Sequence, residues 1–211
     1  QRMEAEAAES GLRLFLISEG AIRRDFDALM MRATRAIVDD ARMVADSHAW
    51  FRTSAQAIQT HRDGPTMDSL GFSPAFTAIA KIAPPVSAGE GHRLWIDNTE
   101  KQHLATAPIT GFLALADRCD RDQNLAAGRV WQRMQLLATS RGIAMHPMNQ
   151  PVEMADHLRQ TGEENWAEAT MKTLLDGSPL QPTFAFRMGS AVQPGKPSPR
   201  RKLGMVTGRA G

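Results

Sequence analysis

The sequence predicts an α+β protein, and three observations carry that class. A short apolar run, 12–17, alternates Leu12, Leu14 and Leu16 with Arg13, Phe15 and Ile17, and leads directly into residues spaced for a helix. A second amphipathic helix, 122–140, closes on Gly142 and gives way to an extended segment. A final strand, 183–187, follows two further helices.

Each element has its own local cause. Residues 3–9 favour helix, and Gln1 stands where a chain would begin with Met, so the expectation is the central and C-terminal part of a longer protein. Ser18 and Gly20 punctuate the first strand. Ile22, Phe26, Leu29, Met30, Ala33 and Ile37 then recur at helical spacing. A helix over 46–60, capped by Asp46 or Ser47, is broken by His61-Arg62-Asp63-Gly64-Pro65, since Gly-Pro cannot continue it. A short helix, 74–82, precedes a loop of Pro84, Pro85, Gly89 and Gly91, the best internal boundary.

Beyond that loop the expectation is a helix over 93–104, a buried strand over 111–116 and a helix capped by Asp120 or Asp122. Ala126, Val130, Met134, Leu137 and Ala138 make one stripe on that helix with Trp131 beside it, and Gly128 leaves room for a close approach. Core is the reading for Trp131, Met134, Met145 and Met148. The segment 143–150 is extended, and helices over 152–160 and 163–175 come next. From Met188 onward Gly, Pro and Ser predict an extended arm. The expected organisation is a central helical region with one strand and a lid, 1–88, a core half, 89–189, and a basic arm, 190–211.

Composition excludes several classes. The chain has 211 residues, 42% hydrophobic and 23% charged, the proportions of an ordinary folded protein. No apolar run approaches the ~18 residues that span a bilayer. Charge is uneven: 187–211 carry six basic residues and no acidic one, leaving 19 basic and 23 acidic in the body. That tail lacks aromatic interleaving for base stacking, so no nucleic-acid partner is expected. Cys119 is the single cysteine and cannot pair within the chain. The six histidines show no i, i+4 pair, and no metal site is expected. Walker A, dinucleotide, G-x-S-x-G and H-E-x-x-H motifs are absent.

Three segments carry a family resemblance. GRVWQRMQLLATSRGIAMHPMNQP (128–151) is similar to the core helix and flavin-edge strand of the nitroreductase superfamily of flavin mononucleotide (FMN) proteins. ADSHAWFR (45–52) with HRDG (61–64) resembles the middle of its Acg-like branch, often described as twin-arginine-signal nitroreductases. FRMGSAVQPGKPSPRRKL (186–203) resembles the closing strand and phosphate-binding arm. The family's RRSxRxF and PSxxNxQPW-like motifs are absent, so the chain is expected to carry one half of a composite site.

The resemblance implies a mostly antiparallel sheet flanked by helices, with an extended C-terminal arm. It implies FMN as cofactor, with Pro147, Met148, Asn149 and Gln150 along the flavin near N5, and Arg200 and Arg201 on the phosphate; Lys202 is a weaker candidate. No residue is assigned as catalytic, because a flavin supplies the chemistry and the protein supplies position and electrostatics. The implied partners are NAD(P)H, a nitroaromatic or quinone-like acceptor, and either the missing N-terminal half in a pseudo-dimer or a second copy in a homodimer. The implied compartment is bacterial cytoplasm, or periplasm if a twin-arginine signal lies upstream. The alternative function is an FMN-sequestering protein without turnover, with 61–85 as its lid.

Overall fold

Four antiparallel strands form the one sheet among the described residues, in the order β1-β2-β4-β3: β1 (Arg13–Ile17), β2 (Ile109–Leu115), β3 (Ile143–Pro147) and β4 (Gln181–Ser190). The computed structural model describes residues 2–70, 73–82, 87–192, 195 and 198–207. The Pro84-Pro85 boundary of the sequence reading lies outside them, as do Lys196 and Arg209.

The chain divides into two compact units, one built from 1–39 and 92–191, the other from 40–91 and 192–211. The first unit holds the sheet. Its alternation sorts side chains to two faces, as the period of a strand requires. Leu14, Leu113, Leu115, Phe186 and Met188 pack against α1 (Arg2–Glu9) and α7 (Arg121–Thr139), which contribute Ala7, Ala127, Val130 and Met134. Trp131 of α7 stacks on Phe184, ring centroids 5.3 Å apart. Phe112 points the other way and meets Phe26 of α2 (Gly20–Asp39) at 5.1 Å. α8 (Gln150–Thr161) and α9 (Trp166–Leu174) pack beside α2, where Arg32 lies 3.9 Å from the centre of the Trp166 ring. Each fully buried Phe, Leu or Met contributes about 1.5–3 kcal/mol.

Pro182 sits in central strand β4 without an N–H to donate, and the register slips there, Leu113 facing Phe184 and Ala114 facing Pro182. A bulge is where an interior strand tolerates proline. Thr183, the extra residue, donates from its hydroxyl to Asn124 Oδ1 at 3.2 Å.

Several expectations shift. Asp120, not Asp122, caps α7, accepting from the backbone of Asp122 and Gln123 at 2.8 and 3.0 Å. Gly142 does take the left-handed conformation (φ 69°), but among the described residues no atom lies within 4 Å of where a Gly128 Cβ would stand, so no close approach is made there. β4 runs on to Ser190, so Met188 to Ser190 belong to the sheet and not to the arm. The expected helix over 93–104 starts earlier, as α6 (Ala88–Asn98), and widens into a π-helical turn over Thr99–Leu104.

In the second unit the single helix expected over 46–60 is two, α3 (Ala41–Trp50) capped by Asp40 and α4 (Ala55–His61) capped by Ser54. The break falls where Arg52 leaves the helix to donate its N–H to the Pro65 carbonyl at 2.9 Å. A 3₁₀ turn (Met67–Leu70) and α5 (Pro74–Ile82) follow. The described part of the arm includes a short helix, α10 (Leu203–Thr207), in place of the extended chain that the sequence predicts there.

Gly111 faces Leu16 on one side and Phe186 on the other. A Cβ there would collide with the Phe15 carbonyl oxygen, a backbone atom that cannot swing aside. Gly111→Ala should therefore destabilise the chain by about 1–3 kcal/mol, read as a lower urea midpoint with an unchanged slope.

Candidate functional site

Edge strand β3 places the segment that follows it. His146 pairs with Arg187 and Pro147 with Phe186, which ends the regular ladder. Two further bonds prolong it: Met148 N–H donates to the Ala185 carbonyl at 2.7 Å, and Ala185 N–H donates to Asn149 Oδ1 at 2.9 Å. Asn149 stands at the N-cap of α8, yet its side chain makes no capping bond, because Oδ1 is held by strand β4. Its Nδ2 has no partner among the described residues. Met148 is buried in the core, Gln150 is buried as the first residue of α8, and Pro147 is exposed. The four residues thus form one fixed corner, with Pro147 and half-buried Asn149 at its surface.

Beside that corner lies a cluster built by the π turn. Widening the helix moves Ala105 N–H onto the Glu100 carbonyl (3.1 Å) and leaves the last carbonyls of the turn short of helical donors. Two arginines supply them. Arg187 Nη1 donates to the carbonyls of Gln102 and His103 at 3.0 and 3.1 Å. Arg23 donates to Leu104 and Ala107 at 2.6 and 2.8 Å, its Nε bound to Asp27 at 2.9 Å.

Arg187 also donates from Nε to His146 Nδ1 at 3.1 Å, which leaves the His146 proton on Nε2. The His103 ring meets His146 edge-on, centroids 4.9 Å apart, and His103 Nδ1 is buried with no hydrogen-bond partner among the described residues. Burial first, then His146 and Arg187, lower the His103 pKa to about 3. Crowding by protein atoms and the Arg187 charge lower His146 to about 4. The His146 residue keeps an exposed surface, where solvent screens the Arg187 charge. Both imidazoles are neutral at pH 7, and the corner presents a neutral N–H donor, a guanidinium and the Asn149 amide.

Arg200 and Arg201 stand in the other unit. Both are exposed, as is Lys202. Arg201 donates to Asp63 Oδ2 and, at 3.4 Å, to the His61 carbonyl. The Arg200 carbonyl accepts from Arg62 Nε at 2.8 Å. Asp63 Oδ1 is bound by Arg52, from Nε at 2.9 Å and Nη2 at 2.8 Å. Two left-handed residues, Arg62 (φ 53°) and Gly64 (φ 72°), flank Asp63, and a Cβ on Gly64 would strike the Trp50 carbonyl. The 45–52 segment, the 61–64 turn and the arm therefore meet at one carboxylate.

The sequence marks His103 and His146 only as two of six scattered histidines and Arg187 only as the first cation of the basic stretch 187–211. Their cluster is made by strand register and a π turn, which leave no spacing signature. The Arg52–Asp63–Arg201 contact is equally silent in sequence, although each of its segments carries part of the family resemblance.

No protein-family model matches the chain, and no curated protein matches it. Solved structures do. The FMN and NADPH-dependent nitroreductase NfnB from Sphigopyxis sp. strain HMH superposes with a TM-score of 0.54 at 19% identity, covering 100% of this chain and 87% of that one. The fold is the nitroreductase fold. A Tyr-to-Phe mutant of the same enzyme gives 0.53 at 18% identity, with the same coverage. At that identity the likeness is one of architecture, and the nitroreductase fold is what these chains share. Among the described residues, no helix of this nitroreductase-fold chain is long and apolar enough to cross a membrane.

A histidine whose pKa is lower folded than unfolded supports the fold fully only above the unfolded value. Stability should thus fall as pH drops from about 6.5 towards 4, where the unfolded chain takes up protons that the folded chain refuses. Urea midpoints between pH 7.5 and 4.5 check this, and the double variant His103→Gln, His146→Gln should flatten that slope.

Proposed function

We propose that this chain is an FMN-dependent NAD(P)H oxidoreductase of nitroreductase type, in the Acg-like branch, with a nitroaromatic or quinone-like compound as acceptor. The observation that carries the proposal is the meeting of the arm with the 61–64 turn. Arg52 and Arg201 share the one Asp63 carboxylate, which leaves positive charge in excess, and Arg62 donates to the Arg200 carbonyl next to them in the chain. That donor set fits a phosphomonoester, since guanidinium binds phosphate through paired, charge-assisted bonds. The fold supports the same reading, because the superposed enzymes are FMN and NADPH-dependent.

In this proposal Arg200 and Arg201 hold the FMN phosphate. Pro147, Met148, Asn149 and Gln150 line the ring edge, where Asn149 Nδ2 and His146 Nε2–H are donors for ring heteroatoms. Bound flavin supplies the hydride and electron chemistry. The chain's own residues position it: Met148 packs the corner to the core, and the Asn149 bond to Ala185 fixes the amide in place. No side chain is asked to act as acid or base, and the neutral imidazoles add no charge beside the ring.

Replacing Arg200 and Arg201 together with alanine should weaken FMN binding by roughly 1.5–3 kcal/mol for each charge-assisted bond lost. Unchanged affinity in a flavin-fluorescence titration would remove the phosphate assignment. The purified chain supplied with FMN should show a bound-flavin spectrum that bleaches when NADH or NADPH is added without oxygen. A bound flavin that stays oxidised would favour sequestration instead.

A further inference from the structure

We infer that Asp63 is a positioning residue for Arg201, holding that guanidinium for an anion without cancelling its charge. The inference rests on the assignment of Arg201 to the FMN phosphate. Asp63 has two oxygens with two different owners. Oδ1 takes Arg52 at 2.9 and 2.8 Å, and Oδ2 takes Arg201. Arg52 is committed entirely to the protein, since its Nη1 donates to the Ala49 carbonyl at 2.7 Å and its backbone N–H to Pro65.

Side-chain exposure follows the same order: 12% for Arg52, 15% for Asp63 and 41% for Arg201. The inner pair is shielded and mutually neutralised, and the outer guanidinium is the one facing water. Were Asp63 partnered by Arg201 alone, the two charges would cancel and an arriving phosphate would find no net attraction. With Arg52 behind it, the carboxylate is neutralised in advance. It then serves Arg201 as a fixed hydrogen-bond acceptor, while one positive charge remains for a ligand. The left-handed turn at Arg62 and Gly64 holds that acceptor on its side of the loop.

Riboflavin has the ring of FMN but no phosphate, so the ratio of the two affinities isolates the arm. Asp63→Asn in the 211-residue chain should lower the FMN preference over riboflavin about ten-fold, leaving riboflavin affinity unchanged. In an Arg201→Ala background the same substitution should change neither affinity. An unchanged ratio in Asp63→Asn, an equal loss of both ligands, or a persistent loss in the Arg201→Ala background would each overturn the positioning role. If Asp63→Asn does not fold, judged by far-ultraviolet circular dichroism, Asp63→Glu retains the charge on a longer stem. It should show a ratio between wild type and Arg201→Ala, and a wild-type ratio would count against the role. A wild-type chain that prefers FMN over riboflavin by nothing at all would remove the phosphate assignment itself, and the inference with it. A wild-type preference that survives in Asp63→Asn removes the inference alone.

Discussion

Strand β4 is the constraint on which the first unit depends. It lies between β2 and β3, so its backbone serves two neighbours, and its final bonds hold the Met148-Asn149 corner. Its side chains serve two faces as well. Phe186 and Met188 enter the core against α7, while Arg187 between them reaches the π turn and His146. A one-residue slip would exchange those faces, burying a guanidinium and exposing a phenyl ring. The Pro182 bulge lies toward the other end of the strand, away from the residues that build the corner.

The second unit is organised by charge instead of by a sheet. Its helices are short, and α3 and α4 have no buried side chain. Directed polar bonds carry what apolar area does not: the Arg52–Asp63 pair, the Arg52–Pro65 bond and the Arg62–Arg200 bond close the turn and tie the arm to it. Shielded pairs of this kind contribute little net stability against their desolvation, but they impose a unique geometry when every partner is present. A site that must orient a multiply charged ligand gains from that trade.

Much of the fold was legible because it rests on local signals. Asp120 before α7, Gly142 after it and the alternation at 12–17 each act within a few residues, and each marks an element that forms. The α+β class followed from them. What stayed hidden depends on partners far along the chain. The split of 46–60 needs Arg52 to find Pro65 and Asp63; the length of β4 needs β2 and β3 on either side; the π turn needs Arg187 from 84 or 85 residues away. Arg200 and Arg201 are exposed cations and Asn149 is half-buried, as their polar character requires. Their partners were not legible.

The order of strands in the sheet also differs from their order in the chain, and protein synthesis runs in chain order. β1 emerges early and waits for β2, more than 90 residues behind it. β3 then emerges with neither of its sides paired, because its neighbour among the described strands is β4, which is made after it. Until residues 181–190 leave the ribosome, the nascent chain can form the β1–β2 pair and its helices but cannot add β3 to the sheet. Completion of the first unit is therefore a late event with high loop-closure entropy. A stop before residue 181 would leave an open β2 edge and an unpaired β3, two strands free to find each other's copies in neighbouring chains.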